Sequence, residues 1–267
     1  MRIPFCGAAL AMLVCAGALA APPCSTLRLG YIDQHRPPFY IGNGVVEATP
    51  PGAAVDLVRE MASAGGCPLS TVRLPAPRIR MALAAGQIDI AQVDPDDEDK
   101  RDFAFPMAGA ELDRARALGQ FVVVFVRARD HLAPNTEPVR YFKGRTLGVN
   151  HGASYIAQLR EAGIGVDEGA LDAQRNLEKV VLGRIDGFAV TLSAAASMDA
   201  FVAQRYGHAL VRLPRPLRSS NAWFAVNKAF YEAHRAQVDA MWDWLGAHGR
   251  TRYPVLQKRY PADVKAP

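Results

Sequence analysis

AAGQIDIAQ (residues 84–92) and VLGRIDGFA (residues 181–189) carry one phrase twice: a glycine, a basic or amide residue, Ile-Asp, and an apolar run. Gly86 and Gly183 stand 97 residues apart (183 − 86). Each phrase reads as a helix ending on a glycine that can turn left-handed just past the last turn. The isoleucine then enters the core as the next strand begins. One such pair could arise by chance, so the surroundings matter.

Those surroundings repeat too. Leu27–Ile32 (LRLGYI) reads as a buried strand. After a Pro/Gly-rich loop, Ala53–Ala64 sets Ala54, Val55, Val58, Met61 and Ala62 on one helical face, closed by Gly65-Gly66. A strand is expected near Thr71–Leu74. Pro77 suits the first turn of a second helix, with Ile79 and Leu83 inward, and Ile88–Val93 is the next strand. This β-α-β-α-β order favours a parallel sheet with helices on its faces.

Phe121–Val126 (FVVVFV) then reads as a strand buried on both faces. After it the pattern restarts. A strand is expected at Arg145–Asn150, a helix at Ala153–Ala162, a helix at Ala173–Leu182 capped by Asp172, and a strand at Ile185–Val190. Ser193–Tyr206 reads as helix, and Ala209–Leu213 and Ala222–Val226 as strands. Helices near Lys228–Leu245 and Arg252–Tyr260 close the chain.

The 267 residues leave room for one large domain or two small lobes. Half are hydrophobic, 21% are charged and the net charge is +5, with basic residues scattered rather than blocked. That is ordinary solubility charge and excludes a nucleic-acid footprint. Residues 1–20 differ: Arg2, an apolar run and Ala18-Leu19-Ala20 form the three parts of a secretory signal peptide, cleaved near Ala20. Val14 precedes Cys15 and Pro23 precedes Cys24, where lipid attachment asks for a small residue. The mature chain is therefore expected in the periplasm. Cys6 and Cys15 leave with the signal. Cys24 and Cys67 remain in an oxidising compartment and are expected to form a disulfide. Metal binding is the alternative, but neither has a His or Cys at ligand spacing.

LRLGYIDQHRPPFY, GAAVDLVREMA, ALAAGQIDIA and DKRDFAFP, followed by FKGRTLGVNHGASY, LGRIDGFAV, NAWFAVNK and QKRY, make the chain resemble a known family. It is that of the bacterial extracellular solute-binding proteins of the amino-acid-binding type (family 3). The resemblance implies the type II periplasmic-binding fold: an α/β protein of two lobes, each a mixed, mostly parallel sheet flanked by helices. Lobe one would comprise 21–121 and 228–267, and lobe two 122–227 with the hinge strands near Val122–Arg127 and Trp223–Asn227. It implies a small polar ligand, an amino acid or related organic molecule, in the interlobe cleft, an ABC-type permease as partner, and a monomer. No cofactor, metal or nucleic acid is implied.

The same resemblance carries residues into the cleft. Arg101 falls where the family grips a ligand carboxylate, and a guanidinium fork suits that anion. The accompanying hydroxyl positions read Asp94 and Asp96, which cannot donate when ionised and could pair with Arg101. Asp97, Glu98 and Asp99 fit a solvated acidic turn equally well. From the second lobe, His151-Gly152-Ala153-Ser154-Tyr155 would present a helix N-terminus, with Gly152 permitting close approach and Ser154 adding a hydroxyl. Taken alone, His151 is an ordinary loop residue. Thr191 stands where the family holds the ligand ammonium with an acid, and Arg36 where it stacks an aromatic. Arg78 points into the cleft or into solvent. No triad or metal spacing supports an enzyme, so binding without chemistry is expected. The alternatives are a dehydratase of cyclic acids on the same fold, working through Asp94, Asp96 or His151, and an accessory or sensor protein without a transport role.

Overall fold

A computed structural model describes residues 23–170 and 172–260. The expected signal peptide, with Cys6 and Cys15, lies outside the described residues. Leu27–Ile32 is a strand and pairs in parallel with Leu69–Leu74 on one side and Ile90–Val93 on the other. The helix Ala53–Ala64 has the expected bounds and buries the expected face. Gly86 and Gly183 both take positive φ, 65° and 69°.

The repeated phrase also has a repeated bonding role. Asp89 gives its N–H to the Arg28 carbonyl and accepts the Arg28 N–H on its carboxylate, both at 2.8 Å. Asp186 does the same with Thr146, again at 2.8 Å both ways. Each aspartate thus pins the first residues of the neighbouring parallel strand, Leu27–Ile32 in one case and Thr146–Val149 in the other.

Between the two halves runs a pair of ten-residue strands, Leu118–Arg127 and Arg218–Asn227. They pair antiparallel from Arg218↔Val122 to Ala222↔Leu118. Past Ala222 the second strand changes neighbour, and Trp223–Val226 pair antiparallel with Ile90–Val93. From Phe121 the first strand also pairs, on its other edge, with Gly187–Leu192, which continues in parallel to Thr146–Val149 and Gly165–Asp167. Arg218–Asn227 thus changes neighbours between Ala222 and Trp223.

Each sheet half is covered on both faces. Val58, Met61, Phe224 and Trp242 pack on one face of the first half, and Leu83, Ile88, Phe103 and Trp223 on the other. In the second half Phe142, Leu147 and Leu159 pack on one face, and Phe125, Leu177 and Phe188 on the other. Two lobes with separate cores are the result, a mixed α/β fold as expected. Cys24 and Cys67 form a disulfide with Cα atoms 4.9 Å apart. No described helix is long and apolar enough to cross a membrane.

Several elements differ from expectation. Arg235–Gln257 is one helix, not two, and the break falls at His234. Gly246 and Gly249 do not interrupt it. A Cβ on Gly246 would lie 3.2 Å from the Arg116 side chain, and one on Gly249 would lie 2.6 Å from Leu245, so both serve close packing. The stretch Ser193–Met198 is turn rather than helix, and the helix expected from Ala153 spans only Ile156–Glu161. Two of the amides near its start are used in turns, Ala153 donating to Asn150 and Ile156 to Ala153.

Candidate functional site

The lobes meet around a cavity of about 730 Å³, within the range of roughly 300–1,000 Å³ usual for small-ligand sites. It opens past the C-terminal ends of Leu27–Ile32, Ile90–Val93 and Thr146–Val149, where α/β sheets place ligands. The first lobe contributes Arg36, Arg80 and Asp94, and the second Gly152, Tyr155 and Asp172.

Arg36 sits on the loop after the first strand, where its backbone bridges to Tyr40. Its Nη2 donates to Gln34 Oε1 at 2.7 Å and, across the cleft, to the His151 carbonyl at 3.0 Å. Its Nε is shielded and has no acceptor among the described residues. Burial pulls its pKa down, against weaker raising effects of Tyr155, Tyr40 and Asp33.

Asp94 follows the Ile90–Val93 strand and lines the cavity. Its partner is Arg218 on the crossing strand, at 2.7 Å, not Arg101. Burial pushes its carboxyl up, and Arg218 opposes the shift. Asp96 is turned elsewhere: it caps the helix Asp97–Asp102, accepting from Asp99 N–H while the Asp99 carboxylate accepts from Asp96 N–H. That hydrogen bond holds Asp96 below the usual carboxylate range.

Arg101 lies outside the cavity wall. The capping box fixes the helix so that Arg101 is exposed, 3.9 Å from Glu98, while its carbonyl accepts from Lys228. The described cavity wall holds Arg80 instead, whose Nε donates to both Asp99 oxygens (2.9 and 3.0 Å) and whose Nη2 donates to the Asp94 carbonyl (3.0 Å). Burial works against its charge, but Asp99, Asp96 and Asp94 outweigh it and its pKa is raised. Arg78, two residues earlier, is exposed on a 3-10 turn and also off the wall. Residues two apart on a helix point nearly opposite ways, so only the helix's rotation separates the two arginines, and the sequence does not display that.

In the second lobe Gly152, Ser154, Tyr155 and Thr191 all line the cavity. Gly152 has φ 74°, and a Cβ there would lie 3.3 Å from the Ala76 Cβ of the opposite lobe. Tyr155 donates to the Ala189 carbonyl at 3.2 Å, and burial pushes its hydroxyl up to about 12. The His151 side chain is exposed, 3.6 Å from Glu168, and only its carbonyl reaches toward the cleft. Asp172, expected only as a helix cap, does cap Ala173–Val181 and also faces the cavity, 3.5 Å from Arg175. Gln92 and Asn150 are further polar residues of the wall not singled out from sequence. The described residues contain no cluster able to hold a metal ion.

No family profile and no curated protein matches the sequence. Solved structures do match the fold. The chain is similar to a mutant of ArgBP from T. maritima, at 21% identity over 88% of this chain and 94% of that one, with a TM-score of 0.60. It is similar to the substrate binding protein of an amino acid ABC transporter, at 17% identity, 88% and 98% coverage and a TM-score of 0.56. It is also similar to a histidine kinase sensor domain with similarity to periplasmic binding proteins, at 18% identity, 92% and 99% coverage and a TM-score of 0.62. The chain thus has the two-lobed fold of periplasmic binding proteins.

Proposed function

We propose that this is an exported, monomeric solute-binding protein of the periplasm. Its lobes close on a small polar solute, an amino acid or related organic molecule, and deliver it to an ABC-type permease. The carrying observation is one cavity walled by charged and polar groups from both lobes, Arg36, Arg80 and Asp94 facing Ser154, Tyr155 and Thr191. A ligand touching both walls stabilises the closed arrangement over the open one, which is a population shift and needs no chemistry. We place the lobe boundaries at the crossings 118–122 and 218–222. The similarity to a transporter's binding protein supports the delivery step. The similarity to a sensor domain supports a second reading, in which closure signals rather than delivers.

A thermal-shift screen against amino acids, polyamines, organic acids and small sugars tests the binding role. A ligand at a hundredfold its Kd adds about 2.7 kcal/mol of stability, and small-angle scattering should report compaction. If no class stabilises or compacts the protein, the reading fails. Loss of solute uptake in a deletion strain would separate transport from sensing.

A further inference from the structure

We infer that the ligand is a carboxylate whose remaining groups are uncharged, a hydroxy, keto or aryl acid rather than an α-amino acid, and that Arg36 receives its charge. The inference rests on the binding role proposed above and specifies the chemistry of that same cavity.

The charges on the wall decide it. Among the described residues, Arg80 is paired with Asp99 at 2.9 Å, Asp94 with Arg218 at 2.7 Å, and Asp172 more loosely with Arg175 at 3.5 Å. Arg36 forms no ion pair among the described residues, and the one acid that acts on it, Asp33, does so more weakly than burial. Its Nη2 partners are neutral oxygens, Gln34 Oε1 and the His151 carbonyl, and its Nε has no acceptor. A guanidinium stays charged in a protein, and a cation withdrawn from water without a counter-ion costs free energy. An anion entering the cavity supplies that counter-ion, and Arg36 lines the cavity it enters.

The same accounting disfavours an ammonium group. Both carboxylates on the wall already hold arginines, and Thr191, which has no charge, occupies the second-lobe wall. A ligand ammonium would bring a second uncompensated cation beside Arg36. A hydroxyl or carbonyl at the same carbon fits Ser154 and Thr191 without that cost. The remainder of the molecule meets Ile32, Phe39 and Ile79. These also wall an adjoining chamber of about 200 Å³ that Arg36 borders. A dry cavity of about 150 Å³ holds a benzene ring, so an aryl group has room.

Isothermal titration calorimetry on the mature protein with matched pairs tests this: L-phenyllactate against L-phenylalanine, L-lactate against L-alanine, and L-2-hydroxyisocaproate against L-leucine. In at least one pair the hydroxy acid should bind at least about tenfold tighter than its amino partner, roughly 1.4 kcal/mol. Arg36→Gln should weaken that binding by a similar factor while keeping the far-UV spectrum. Should Arg36→Gln not fold, the matched pairs decide alone. Equal or tighter binding of the amino acids overturns the proposal, as does unchanged affinity in folded Arg36→Gln or binding of neither member of every pair. Spermidine and glucose run alongside. If either compacts the protein while the acids do not, the solute-binding role stands and the anion fails. If nothing does, both fail.

Discussion

Asp89 and Asp186 show how little chain is needed to organise a lobe. Each sits three residues past the left-handed glycine, and each takes one N–H from the first or second residue of a parallel neighbour. Asp89 is the more buried and holds the Arg28 guanidinium as well, through Nε at 2.8 Å and Nη2 at 2.6 Å. Asp186 has only a longer contact to Arg127, at 3.6 Å. Asp89→Ala strands a shielded N–H and should cost about 2 kcal/mol, and Asp186→Ala about 1 kcal/mol. Urea midpoints at constant slope would measure both, and equal losses would refute the ranking. The sequence repeats these two residues, but their bonding to a neighbouring strand is visible only in the fold. Nor did the sequence make Arg80 legible, because nothing repeated tells which side of a helix faces a cleft. The acidic run Asp96–Asp99 looked like a charge field and is a capping box whose Asp99 carboxylate also holds Arg80. Asp99→Ala should therefore lower stability by about 1–2 kcal/mol, discounted for the solvent around Arg80, and weaken ligand binding, whereas Arg101→Ala should leave affinity unchanged within about twofold. Titration of the ligand found by the screen into both variants checks this.

Among the elements, the long C-terminal helix Arg235–Gln257 joins the first lobe together. Trp242 is buried on it and its indole N–H donates to the Phe224 carbonyl at 2.9 Å, beyond the last residue of that strand that pairs with Leu118–Arg127. Arg252 on the same helix pairs with Glu60 of Ala53–Ala64 through three hydrogen bonds of 2.6 to 3.0 Å. Arg252 holds the Glu60 carboxyl below its ordinary value of 4.5. A carboxylate lowered by folding stabilises fully above its unfolded value and loses that stabilisation as pH falls through the folded one. Acid below about pH 4.5 should therefore loosen this helix pair, and Glu60→Gln should flatten the acid limb of a stability profile. Asp94 has the opposite sign, its pKa being raised by burial, and does not add to that loss. The Cys24–Cys67 bridge closes a separation of 43 residues across the two strands that begin the first sheet. By chain entropy it contributes about 4 kcal/mol, measurable as the midpoint shift of the double Ser variant. Most helices and strands with apolar periodicity were legible to within a few residues, though the helix expected from Ser193 begins only at Asp199. The final helix was not, since its glycines act through packing against Ala115, Arg116 and Leu118, contacts remote in sequence.

At the scale of the molecule, polar and apolar contacts span the cleft. Arg36 donates to the His151 carbonyl, Gln257 donates to Ser193 Oγ at 2.7 Å, Phe39 packs against the second-lobe core, and Gly152 lies against Ala76. A ligand touching both walls tips the balance between open and closed forms. Gly152 is the position where that balance can be broken by shape alone. Valine there would place a Cβ 3.3 Å from the Ala76 Cβ and 3.9 Å from Pro77 Cδ, with two further methyls to fit. It would also force a β-branched residue to φ 74°, which carries a backbone cost of its own. Gly144 separates the two effects, because it has the same φ of 74° and nothing within 4 Å of a Cβ. Both Val variants should lose comparable stability. Only Gly152→Val should lose the ligand-induced fall in radius of gyration and most of the affinity, since the lobes can no longer meet. Small-angle scattering of both variants with the ligand found by the screen measures this. If Gly152→Val compacts like the unaltered protein, the turn 151–155 does not limit closure. If Gly144→Val also fails to compact, backbone strain and not interlobe contact is the cause.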